Sequence, residues 1–152
     1  MKRLIEQLKA DEGYRKNQYK DSLGKWTIGI GYCVTANPLK LSAYELEDMR
    51  INGCSEAKAE LLLMRVLENN AEAFKHPMTF LNKLDDVRHD VLLNMSYQLG
   101  VAGVLKFKNM LIAIEHSDYE HAATCMIDSL WAKQTPNRAH RLAEQMKTGR
   151  YA

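Results

Sequence analysis

Apolar residues recur along this chain with two periods. Near the N-terminus, Leu4, Ile5 and Leu8 repeat at helical spacing and predict a short amphipathic helix over residues 3–11. From 15 to 32 the pattern turns to alternation. In "KWTIGIGY", Trp26, Ile28, Ile30 and Tyr32 fall on one face of an expected strand, and Lys25, Thr27, Gly29 and Gly31 on the other. The preceding "KDSLGK" holds Asp21, Ser22 and Gly24, which favour a turn, so 15–32 reads as a hairpin.

Helical spacing resumes after the loop "ANPLKLS" and continues to the C-terminus. Ser42 is positioned to cap "AYELEDMR", and Ser55 to cap the long run "EAKAELLLMRVLENNAEAFK". "LDDVRHDVLLNMSYQLG" should end at Gly100. "FKNMLIAIEH" follows a glycine-rich turn, and "SDYEHAATCMIDSLWAK" starts from a Ser117 cap. "TPNRAHRLAEQMKTG" starts at Thr135 with Pro136 in the first helical position and closes at Gly149. The expected class is α+β within one domain of 152 residues. A small β-containing lobe at about 13–55 leads into a connecting helix at about 56–75. A larger helical lobe takes 76–152 together with 1–12.

Composition narrows the class without naming a function. Apolar residues make up 46% and charged residues 26%, which suits a packed globule and excludes a disordered chain. The formal net charge of +2 would help the protein approach an anionic polymer. Cys33, Cys54 and Cys125 are odd in number and widely spaced, so buried free thiols are expected. The five histidines, His76, His89, His116, His121 and His140, show no metal-like spacing. The N-terminus carries no long apolar run, and a soluble chain without export signal or membrane span is expected.

The candidate chemistry sits in "DEGYRKNQYKDSLGKWTIGIGY". Glu12 stands where the first helix should end, before Gly13, and Asp21 stands at the hairpin tip. Thr27, Gly29 and Gly31 would leave one strand face almost without side chains, which suits close approach of an extended polymer. Two carboxyls flanking such a groove suit glycosidic cleavage, one as proton donor and one ionised to activate water. On spacing alone, a helix-end carboxylate and a turn residue explain the same pair.

The whole stretch resembles the signature of the T-even phage lysozymes, glycoside hydrolase family 24. The matching parts are Glu12-Gly13, Tyr19-Lys20-Asp21, and the run from Gly24 to Gly31 with Thr27, Gly29 and Gly31 in register. "QTPNRA" at 134–139 is similar to the family's C-terminal motif, with "NGCSEAKAE" and "NMSYQLG" in order between them. The resemblance implies a lysozyme-like fold and a catalytic set of Glu12 as general acid, Asp21 as the residue that activates water, and Thr27 as its helper. It implies substrate contacts from Tyr97, Gly31 and Arg138, with Arg138 paired to Glu12. It implies inversion at the anomeric carbon, which calls for a carboxyl separation of roughly 6.5–9.5 Å. No cofactor or metal is called for.

The implied role is that of an endolysin cutting the β-1,4 bond between N-acetylmuramic acid and N-acetylglucosamine. The expected partners are peptidoglycan strands, with neither nucleic acid nor stable membrane association. A monomer is expected to wait in the host cytoplasm for a separate pore protein, then act on the wall. A lytic transglycosylase using Glu12 alone is the alternative enzyme, and a wall-binding or virion part the non-catalytic one. Tyr32 departs from the family's histidine after the hairpin, and "LLLMRVL" offers no acid to pair with one. Met110 and Cys125 read as packing residues. Gln134 and Asn137 read equally as loop and capping groups.

Overall fold

The computed structural model describes the whole chain, Met1–Ala152. The order is α1 (Lys2–Glu12), β1 (Arg15–Lys20), β2 (Trp26–Gly29), β3 (Tyr32–Cys33), α2 (Ala43–Asn52) and α3 (Glu56–Phe74). A 3-10 turn (Leu81–Lys83) precedes α4 (Asp86–Leu105), α5 (Lys108–Glu115), α6 (Tyr119–Ile127), α7 (Leu130–Gln134) and α8 (Pro136–Thr148). The three strands form one antiparallel sheet in sequence order, and the α+β class holds. The chain divides into two compact units, Met1–Asn69 and Asn70–Ala152, so α1 falls in the first.

The first unit departs from the expected single strand over "KWTIGIGY". β2 stops at Gly29, and Gly29 and Gly31 both take positive φ, 66° and 63°. These two glycines turn the chain so that Ile28 pairs with Tyr32 across a second, tighter hairpin. Ile28, Ile30 and Tyr32 are buried, but Trp26 is 43% exposed with the Lys20 ammonium 5.1 Å from its ring centroid. Nor is Gly29 part of a bare polymer-binding face. A Cβ there would lie 3.0 Å from Ala59 Cβ and 3.4 Å from Cys54 Sγ, so its missing side chain admits α3.

Several ties fix this sheet within its unit. Cys54 N–H donates to Lys16 O at 2.8 Å, and the Tyr14 hydroxyl donates to Cys54 O at 2.7 Å. Lys9 on α1 pairs with Glu60 and, at 3.8 Å, with Glu56 on α3. Ser42 forms a complete capping box with Glu45 at the start of α2, and Ser55 Oγ accepts from Lys58 N–H at 3.2 Å at the start of α3. Tyr32 finds neutral partners. Its hydroxyl donates to Asn37 Oδ1 at 2.7 Å and accepts from Leu39 N–H, while Asn37 bonds both N–H and C=O of Leu41.

In the second unit, α4 is interrupted at Gly100 (φ 75°, ψ 162°), where the sequence predicts a helix end. The expected helix from Ser117 is two helices instead. Ser117 takes φ 58°, Asp118 caps α6 by accepting from His121 N–H, and Ser129 caps α7 by accepting from Ala132 N–H. Thr135 does not cap α8 with its side chain; its hydroxyl donates back to Trp131 O at 3.1 Å. Gly149 closes α8 in the left-handed conformation. Arg88 clasps that end, donating to Met146 O at 2.6 Å and Lys147 O at 3.0 Å, pairing with Asp85 and stacking on Tyr119. All three cysteines are free. Cys54 is buried as expected, whereas Cys33 and Cys125 are partly exposed.

Candidate active site

Glu12 is the last residue of α1, and Gly13 ends the helix at φ 69° with its N–H donating to Lys9 O at 2.9 Å. β1 begins three residues later, so the carboxyl is carried at the junction of helix and strand. Gly31 lies against it. A Cβ on Gly31 would fall 2.6 Å from Glu12 Oε2 and 2.9 Å from Cδ. The glycine that the sequence suggested as groove floor therefore gives Glu12 its room.

Asp21 occupies the turn between β1 and β2. Its backbone N–H donates to Lys25 O at 2.9 Å, and Gly24 N–H donates to Asp21 O at 3.0 Å. Gly24 follows at φ 77°, a conformation suited to glycine at the close of such a turn. One carboxylate oxygen, Oδ1, accepts from both Leu23 N–H and Lys25 N–H at 2.9 Å. Those bonds aim the carboxylate and leave Oδ2 for other work. The turn-forming role of Asp21 thus occupies one oxygen and does not use up the other.

Thr27 pairs directly with Tyr19 across the sheet, so their side chains share a face. Asp21 follows Tyr19 by two residues on that side of the hairpin. Thr27 is 5% exposed, and its hydroxyl donates to Lys25 O at 3.1 Å. With its proton committed, Thr27 Oγ1 is left as an acceptor. Tyr19 lies close enough to feel both acids. Burial raises its phenol pKa most, the Glu12 charge raises it further, Arg15 offsets part of this, and Asp21 adds to the rise.

The first unit therefore sets Thr27 opposite Tyr19, Gly31 against Glu12, and both acids within electrostatic reach of the Tyr19 phenol. Residues 9–147 match the Phage lysozyme family model. The chain belongs to the phage lysozyme family. It is 34% identical over 160 residues to "Probable T4-type lysozyme 2" of Dictyostelium discoideum, covering 96% of this chain and 94% of that one. A second protein of that organism, "Probable T4-type lysozyme 1", is also 34% identical with the same coverage. The pre-baseplate central spike protein Gp5 of Enterobacteria phage T4 is 32% identical, over 96% of this chain and 28% of the spike protein. This lysozyme is accordingly a glycoside hydrolase. Peptidoglycan is the substrate its family implies, and no helix is long and apolar enough to cross a membrane.

The two remaining candidates of the lysozyme, Tyr97 and Arg138, stand in the second unit. Tyr97 is on α4, half-buried. Arg138 opens α8, and its Nε donates to Asn94 Oδ1 at 2.9 Å while Nη2 donates to Asn94 O at 3.3 Å. Asn94, fully buried on α4, thus orients Arg138; sequence reasoning passed over it. Its signal was a polar residue inside the apolar run "VLLNMSY", where a buried amide needs a partner.

Proposed function

We propose that this lysozyme hydrolyses the β-1,4 bond between N-acetylmuramic acid and N-acetylglucosamine with inversion. Glu12 gives its proton to the leaving oxygen as the C–O bond breaks. A water held by Asp21 Oδ2 and Thr27 Oγ1 attacks the anomeric carbon from the opposite face and passes a proton to Asp21. Both protein atoms are acceptors, so the water spends its hydrogens on them and points a lone pair at carbon. The observation that carries this reading is the pair of backbone bonds to Asp21 Oδ1, with the Thr27 proton held by Lys25 O. Exchange with solvent then returns a proton to Glu12 and removes one from Asp21.

In this reading Tyr97, Gly31 and Arg138 serve substrate binding, and no cofactor takes part. The biological role is host lysis by an endolysin that reaches the wall after a separate pore protein opens the membrane. The test is proton NMR of fresh products from purified peptidoglycan, beside Glu12→Gln. The expected result is an α-anomer at the new reducing end and loss of activity in the variant. A β-anomer, an anhydro sugar lacking the added water, or an active Glu12→Gln would overturn the proposal.

A further inference from the structure

Arg15 carries chemistry that hydrolysis by Glu12, Asp21 and Thr27 does not use. It begins β1 opposite Gly29, four residues before Tyr19, with a register irregularity between the two. Its Cζ lies 4.3 Å from the centroid of the Tyr19 ring. Arg15 is exposed, and the ion pairs made by Lys9, Arg50, Lys75 and Arg88 do not involve it. A guanidinium steadied by a ring rather than by a carboxylate is held in direction while its N–H fork stays open to an anion.

The surroundings give that open cation a purpose. Glu12 and Asp21 both act on the phenol that Arg15 covers, so the two reacting carboxyls and the guanidinium share one neighbourhood. An anionic group on an incoming substrate is repelled by the acids and attracted by Arg15. Peptidoglycan strands alternate a neutral sugar with one bearing a carboxyl-terminated substituent. Two chemically similar β-1,4 bonds therefore alternate along the strand, and a cation held in a fixed direction beside the acids can tell them apart.

We propose that Arg15, stacked on Tyr19, is a specificity-determining residue that binds the carboxylate carried by alternate sugars and so fixes which bond lies between Glu12 and Asp21. This rests on the peptidoglycan reading above.

The test measures binding in a Glu12→Gln background, with and without Arg15→Gln. The probes are soluble uncross-linked peptidoglycan strands and the same strands with carboxyls converted to amides. On native strands, Arg15→Gln should weaken binding about tenfold, the scale of one charge-assisted contact. On amidated strands the two proteins should bind alike, and Arg15→Lys should recover part of the native affinity. In the active protein, Arg15→Gln should raise KM more than it lowers kcat, and reduced products should include sugars from the wrong bond. Equal affinity on native strands, or a gap that survives amidation, overturns the assignment. Failure of the parent enzyme to cut native strands would overturn the hydrolase reading instead, whatever the affinities show.

Discussion

In the proposed mechanism Asp21 divides its work between two oxygens, and that division predicts how substitutions separate. Asparagine keeps an acceptor at Oδ1 for Leu23 N–H and Lys25 N–H, so Asp21→Asn should fold with a loss below about 1 kcal/mol while losing nearly all activity. Asp21→Ala should also loosen the turn and cost about 1–2 kcal/mol, read as a lower urea midpoint. Gly31→Ala is expected to fail for a steric reason. Its methyl would press on the Glu12 carboxyl at a backbone angle that costs about 1–2 kcal/mol outside glycine. Activity should fall by at least a hundredfold, with circular dichroism near that of the parent. Glu12, Asp21 and Thr27 stand out as candidates because a turn-forming acid and a helix-end acid sit in a recognisable string. The purpose of the glycines does not. Alternation shows that a side chain is missing, but only packing shows what fills the gap: Ala59 at Gly29 and Glu12 at Gly31.

At the level of elements, caps and periods are legible in the sequence, and breaks inside apolar runs are not. Ser42, Ser55, Gly100 and Gly149 punctuate the helices where turn chemistry places them. The hairpin inside "TIGIGY" escaped notice because Ile28, Ile30 and Tyr32 stay buried on either side of the bend, as they would in one straight strand. The division of α6 from α7 at Ser129 was hidden in the same way, by an apolar pattern that continues through it. The clasp on α8 yields an element-scale prediction. Arg88 satisfies two terminal carbonyls and carries positive charge at the end where the helix dipole favours it. Arg88→Ala should destabilise the protein by about 2–3 kcal/mol in urea melts. Arg88→Lys should recover little, since an ammonium cannot span both carbonyls and stack on Tyr119.

Across the molecule, phenols that lose some of their water on folding make the fold sensitive to alkali. Burial is the leading cause of raised pKa values at Tyr14, Tyr19 and Tyr32, so each holds its proton more tightly folded than unfolded. Below about pH 10 both states keep these protons and stability is unaffected. Above it the unfolded chain ionises first, unfolding releases protons, and stability falls as pH rises. Urea midpoints measured from pH 8 upward should decline from about pH 10, and Tyr32→Phe should flatten that decline. The thiols give a second whole-chain expectation. In native protein Cys54 should resist labelling while Cys33 and Cys125 react, and denaturant should expose all three. The clasp of Tyr32, Asn37, Leu39 and Leu41 is composed of dipoles without a formal charge. Brine therefore has no ion pair there to screen, and the bend from Cys33 to Leu41 should hold its shape at salt levels that dissolve the chain's surface ion pairs.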